Sequence, residues 1–460
     1  MREAGDQARQ EAPAALSAIA PEDFTLPEVL VKTIDHFAPG FWAALSEVQD
    51  PRHPMMIAYR LEFELFVAVL MFMVKVGSRR NIKYKLGSPA FVESLRRLMG
   101  RLYPDMVWPE GLFHGDTLNY ALKGVSPRGI AGLRTLVIRS LLRKRCLESF
   151  RLKGLYYPVA IDGTGALVFG AKHCDHCLTK TSNGKTTYYH PVLEGKLTMA
   201  NGLALSVGTE FIENERPDVE KQDCELKAFY RLVKTLKADF PQTRVCLLLD
   251  GLFACAPVLK LCRRNRWGYI ITLKEGRLPG TFQDYTALLT LTPENTHVVS
   301  RKGCRQTYRW INDVDLGEQT VNVFECVEET VEGSTRFVWL TGFHIDAANV
   351  EELARRGGRQ RWTIENEGFN TQKNGGYGLE HAFSENNVAQ KNFYLLMQIG
   401  HIFNQLIEKG SLLRERIRAT MGSLAVFSQK MWAALTETVI DEERLQVILG
   451  TRIQIRFDTG

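Results

Sequence analysis

The chain has 460 residues, 45% hydrophobic and 24% charged, a balance that excludes a collagen, a low-complexity polymer and a wholly disordered protein. Its longest strongly apolar run, Leu65 to Val74, is about half the roughly 20 residues of a membrane span. It therefore reads as a buried helix, and with no secretory signal pattern the expected location is cytoplasmic, with no membrane partner. The net charge of +6 hides a polarity: residues 1–50 carry 3 basic against 9 acidic side chains, net −6, whereas residues 51–150 carry 17 against 7, net +10. Such a basic segment suits a polyanion, most commonly nucleic acid.

A length of this order asks for roughly two to four domains. Residues 1–28 are rich in Ala, Glu and Pro and read as a mobile tail that ends near Pro27. Over residues 29–150 apolar side chains recur at helical spacing, as in Leu61, Leu65, Ala68, Val69 and Phe72, with prolines between the runs. This predicts a helical domain. Two basic groups stand out in it, Arg79 and Arg80 with Lys83 and Lys85, and Arg139 with Arg143, Lys144 and Arg145. Solvated helix faces and DNA contacts both account for them.

From Leu155 the pattern changes. Strands are expected at 156–161, 192–199 and 203–211, a helix at 223–238, a buried strand at 245–249, a helix at 252–265 and another strand at 269–273. That order defines a mixed α/β unit with a central sheet over residues 151–290. Residues 291–345 contain four β-branched and aromatic runs and read as a β-rich insertion. Helices resume over 346–410 and continue in a C-terminal segment, 411–460.

Two acids fall where ligands usually bind. Asp162 closes the first core strand and Asp250 closes a strand buried on both faces, and the carboxyl ends of strands line ligand sites in α/β sheets. A turn explains each one equally well, since both precede glycine. A third acid lies in the run Arg361 to Lys373, where Arg361 and Glu365 are spaced to share a helix face. A solvated ion pair would explain that pair, but not the aromatic residues around it.

Together, Ile161-Asp162-Gly163-Thr164, Leu248-Leu249-Asp250-Gly251-Leu252, the Arg361-Trp362-x-Ile364-Glu365 block and the run Asn366 to His381 resemble the DDE-class transposases of bacterial insertion sequences. The resemblance covers roughly residues 105–405. It implies an RNase H-like catalytic core over 151–290 and 346–410, interrupted by the β insertion, preceded by a DNA-binding helical domain and followed by C-terminal helices. It implies that Asp162, Asp250 and Glu365 hold two Mg²⁺ ions, with Mn²⁺ as a substitute, for cleavage and strand transfer. It further implies that Arg361 and Lys373 hold phosphates of the element end, and that the partner is double-stranded DNA at the element ends and target, engaged by a homodimer in the synaptic complex. The sequence departs from the family's Tyr, two residues, Arg, three residues, Glu, six residues, Lys pattern. Gly358 takes the Tyr position and Gln372 the Lys position, with Lys373 one residue late. One extra residue near Gly368, as in a π-bulge, restores the spacing. Glu367 is a poorer third acid, because it would put Thr363 at the Arg position.

Other groups carry weaker signals. Nine cysteines in a cytoplasmic chain read as reduced thiols. Cys174 and Cys177, near His173, His176 and His190, have a spacing that suits Zn²⁺, but no second C-x2-C follows, and free cysteines in an exposed hairpin are the expectation. Asp223 and Glu225 read as helix N-terminal acids, with an auxiliary metal role as the alternative. Glu380 and His381 follow a Gly-rich turn that could approach the site. Trp310 and Trp339 fit either sheet core or a platform for a flipped base. Two further functions share the pattern: a metal-dependent nuclease without strand transfer, and a transposase-derived DNA-binding protein without catalysis.

Overall fold

In the computed structural model, which describes residues 19–216, 219–301 and 303–459, helix begins earlier than the expected tail boundary. Residues 1–18 of that tail lie outside the described residues. Thr25 caps helix α1, Leu26–Phe37, through a reciprocal pair: its Oγ1 accepts from the Glu28 amide and its own amide donates to Glu28 at 2.8 Å. Pro27 therefore sits in the first helical turn, where its missing N–H costs nothing, and does not end a tail.

Six more helices follow: α2 (Phe41–Glu47), α3 (Leu61–Met73), α4 (Ile82–Leu86), α5 (Pro89–Leu102), α6 (Gly115–Gly124) and α7 (Pro127–Arg143). Every residue of α3 is buried, as its apolar run requires. Its partner is the long helix Asn387–Lys409. There Gly400 lets the backbones approach, since a Cβ would lie 3.1 Å from the carbonyl oxygen of Val69. Asn392 of the same helix donates to the carbonyls of Leu122 and Val125 at the end of α6. The basic helical segment thus shares one continuous hydrophobic core with the C-terminal half of the chain.

Among the described residues ten strands form one sheet: β1 (Tyr157–Phe169), β2 (Leu178–Ser182), β3 (Lys185–Thr198), β4 (Ala204–Phe211), β5 (Val245–Leu249), β6 (Gly268–Thr272), β7 (Thr296–Arg301), β8 (Cys304–Leu316), β9 (Gln319–Thr330) and β10 (Gly333–Thr341). Spatially the order is β2-β3-β1-β5-β6-β10-β9-β8-β7, with β4 also paired to β3. Only β1–β5 and β5–β6 are parallel. Helices α8 (Glu225–Asp239), α9 (Ala256–Asn265) and α10 (Pro279–Leu291) connect the later strands. The four strands expected as an insertion are present, but β10 pairs with β6, so they extend the central sheet.

After β10 the chain forms one irregular helical run: α11 (Val350–Glu352), a π-helical stretch Leu353–Gly357, a 3₁₀ stretch Gly358–Arg361, a second π-helical stretch Ile364–Asn370, and α12 (Thr371–Asn374). Helix α13 (Asn387–Lys409) is followed by α14 (Arg414–Thr420), α15 (Leu424–Glu437) and α16 (Glu442–Gly450). No helix among the described residues is long and apolar enough to cross a membrane.

Candidate active site

Asp162 does not close its strand. β1 continues to Phe169, with Asp162 paired to Glu194 of β3, so the turn reading fails there. What does end is the parallel neighbour. Pairing with β5 stops at Ala160–Leu248, and two residues further along each chain stand Asp162 and Asp250. Paired strands lie about 4.8 Å apart, so this register sets the two aspartates side by side where β1 outruns β5. Asp250 keeps its turn role as well: its carboxylate accepts from the Leu252 amide at 2.9 Å and caps the 3₁₀ turn Gly251–Phe253.

The third acid arrives on the irregular run. Glycines bring that run down onto the sheet. A Cβ at Gly357 would strike Ile270 of β6, one at Gly358 would lie 2.4 Å from the Trp339 ring of β10, and one at Gly368 would lie 3.1 Å from Lys196 of β3. The Trp339 ring leaves no room for a side chain at Gly358. The π-helical stretch spans Gly368, where the spacing called for an extra residue. One inserted residue makes the eight-residue step from Glu365 to Lys373 behave like i, i+7, which returns to the same face. Gln372 is fully buried and hydrogen-bonded to Gln398 and His401, whereas half-buried Lys373 pairs with Glu380 at 3.4 Å.

Arg361 Nη1 donates to Asp162 Oδ2 at 2.8 Å, and the Gly163 amide donates to Oδ1 at 3.0 Å. Burial pushes the Asp162 carboxyl above its ordinary value; Arg361 and the Gly163 amide oppose the rise, and the charges of Asp250 and Glu365 add to it. Glu365 is thus within electrostatic reach of Asp162. Glu367 instead neighbours Gly202 and Glu408.

A fourth acid joins this group. A Cβ at Gly163 would lie 2.3 Å from Glu225 Oε1, and the Glu225 carboxyl is raised by burial and by the charges of Asp162 and Asp250. Helix α8 starts beside the aspartates, so the helix-terminus reading of Glu225 is incomplete. The sequence hint was Gly163, whose missing Cβ makes room for a carboxylate. Asp223 is engaged elsewhere, with Arg231 at 2.6 Å. Glu194, directly opposite Asp162, is fully buried and satisfied by Ser206, Thr209 and Tyr394.

The basic candidates separate. Arg79 is committed to the carbonyl of Phe383 at 2.6 Å and to Asp116. Arg80 is exposed and lines a groove with Lys123 and His381. Arg143, Lys144 and Arg145 are exposed at the end of α7, although Lys144 also donates to the His36 carbonyl. Arg143 lines a groove of about 1470 Å³ with Arg128, Arg139, Arg231 and Lys234.

Trp310 and Trp339 are sheet core, 6% and 3% exposed, which removes the base-platform reading for both. Trp362 entered the sequence reading only as part of the Arg361 block, with no role of its own. It is 50% exposed, and the Arg361 guanidinium lies 4.7 Å over its ring. Cys177 is 5% exposed rather than part of an open hairpin, and it gathers with Cys174, His173 and His190.

No protein-family model matches the chain, and no curated protein matches it. Among solved structures the chain is similar to the piggyBac transposase in a synaptic complex with hairpin DNA, at 10% sequence identity and a TM-score of 0.41, over 92% of this chain and 82% of that one.

Proposed function

We propose that the protein is a DDE-class transposase that cuts the ends of its own element and joins them to target DNA. The observation that supports this reading is the Arg361–Asp162 hydrogen bond, which joins the third sequence block to β1 where Asp162, like Asp250 after β5, stands two residues beyond the last β1–β5 pair. The strand order β4-β3-β1-β5-β6, antiparallel and then parallel, supports an RNase H-like core. So does an acid on one central strand and another just past the end of its parallel neighbour, with a third on the helical run that packs against the sheet.

Asp162, Asp250 and Glu365 would hold divalent cations, with Glu225 in reach as a further ligand. The donor chemistry fits: carboxylate oxygens suit Mg²⁺ and Mn²⁺, and the Asp162 carboxyl, raised first by burial and then by the charges of Asp250 and Glu365, is one whose ionised form a cation would favour. Two Mg²⁺ ions bound at such a site supply nucleophile activation and leaving-oxygen stabilisation. The chain's own part is positioning. Arg361 presents a planar guanidinium that can pass from Asp162 to a DNA phosphate. Lys373, on the same face, offers a second phosphate contact, and Arg80, Arg143, Lys144 and Arg145 offer sequence-independent contacts further along the duplex. A homodimer would pair two ends.

The test is Mg²⁺-dependent nicking and strand transfer on a labelled element end. The expectation is that the natural chain does both and that Asp162→Asn does neither while still shifting the end in a gel. Nicking without strand transfer would make the protein a nuclease. Normal nicking by Asp162→Asn would remove the enzymatic reading.

A further inference from the structure

The connection between β1 and β2 holds His173, Cys174 and Cys177, and β3 holds His190, which pairs with Leu167 of β1 just past a bulge. Their ligand atoms come together. Cys174 Sγ lies 3.5 Å from Cys177 Sγ and 3.3 Å from His190 Nε2. Cys177 Sγ lies 3.3 Å from the same Nε2 and 3.1 Å from His173 Nδ1. All four atoms fall within 4.8 Å of one another. A zinc tetrahedron built from ordinary Zn–S and Zn–N bonds has edges of roughly 3.3–3.8 Å, so the side chains already stand near its corners.

The surroundings distinguish ligand from neighbour. His176 lies in the same short run, but its Nδ1 is 2.8 Å from the Asn214 carbonyl. Asn214 in turn donates to the carbonyls of His176 and Cys177, which fixes the backbone behind the cluster as outer-shell contacts do at metal centres. Phe169 stacks on the His173 ring at 4.0 Å and sets its orientation.

We infer that His173, Cys174, Cys177 and His190 form a closed structural Zn²⁺ site. Four protein ligands leave no open position, so its task is mechanical. It ties the β1–β2 connection to β3 and stiffens the β1–β3 pairing that also holds Asp162 opposite Glu194.

The experiment measures metal in the full-length chain purified under reducing conditions. About one zinc per chain is expected. Replacement by Co²⁺ should give thiolate-to-metal charge-transfer bands together with the visible bands of a tetrahedral site. Cys174→Ser and His190→Ala should lose the metal at matched chelator concentration, and His176→Ala should keep it. If a ligand variant fails to fold, the Co²⁺ spectrum of the natural chain decides by itself. Three results would overturn the site: a chain that stays metal-free with its thiols reduced after Zn²⁺ is supplied, a Co²⁺ spectrum without thiolate bands, or equal metal loss in His176→Ala.

Discussion

Arg361 and Asp162 are 199 residues apart in the chain and 2.8 Å apart in space. Their hydrogen bond makes the two residues separable by experiment. Asp162→Asn removes a carboxylate while leaving the guanidinium free for phosphate, so nicking should fall about a hundredfold or more with end binding kept or tightened. Arg361→Ala should weaken end binding as well. It should also move the pH dependence. Arg361 opposes the rise in the Asp162 carboxyl, so without it the group stays protonated to higher pH. Since cation binding needs the ionised form, the onset of nicking should shift to higher pH than in the natural chain. A pH–rate profile with an unmoved onset would contradict this coupling.

Trp362 and Trp339 should answer differently to the same substitution. Trp362→Ala removes an exposed ring beside the acids and should leave thermal stability near that of the natural chain. If the ring stacks on a base, binding of the element end should weaken by about 1–3 kcal/mol. Trp339→Ala empties a core site under Gly358 and should cost about 3–5 kcal/mol of stability. Thermal melts beside gel shifts on a labelled end read both effects, and unchanged end affinity in Trp362→Ala would refute the stacking role.

Lys196 makes a linkage prediction. It is fully buried, it donates to Gln398 at 2.8 Å, and burial pulls its ammonium down to about 8 from the ordinary 10.5. Between those pH values the unfolded chain binds more protons than the folded one, so this group's contribution to stability rises with pH across the window. Relative to Lys196→Met, the natural chain should gain roughly 3 kcal/mol from pH 8 to 10.5. Denaturant titrations of both proteins, compared as a difference, cancel the tyrosines and cysteines that titrate nearby. A flat difference would show that Lys196 keeps its ordinary proton affinity.

The basic helical segment cannot be tested by deletion, because α3 and α6 pack on α13 and their removal would open the core. Replacing exposed Arg143, Lys144 and Arg145 by alanine leaves that packing in place. The salt dependence of DNA binding should become shallower by about 0.9 in slope for each phosphate that the variant no longer neutralises. An unchanged slope would place the DNA elsewhere.

Some of this protein is set by the local chain. A continuous apolar run with no polar face must be buried, and β5 and α3 lie where such runs occur. The spacing of Arg361 and Glu365 is itself helical geometry, and the extra residue near Gly368 became legible only against the pattern that the resemblance supplied; a π-helical stretch does span that glycine. Other features depend on partners that no local pattern reveals. Asp162-Gly163-Thr164-Gly165 has turn chemistry, yet β3 supplies an antiparallel ladder that holds it extended and so carries Asp162 past the end of β5. Glu225 enters the cluster because Gly163 leaves room for it. Arg79 is spent on Phe383 and Asp116, and Trp362 rather than Trp339 meets solvent. The side chain in each of these cases is suited to several tasks, and the choice among them is made by groups tens to hundreds of residues away, which only the packed chain brings within bonding distance.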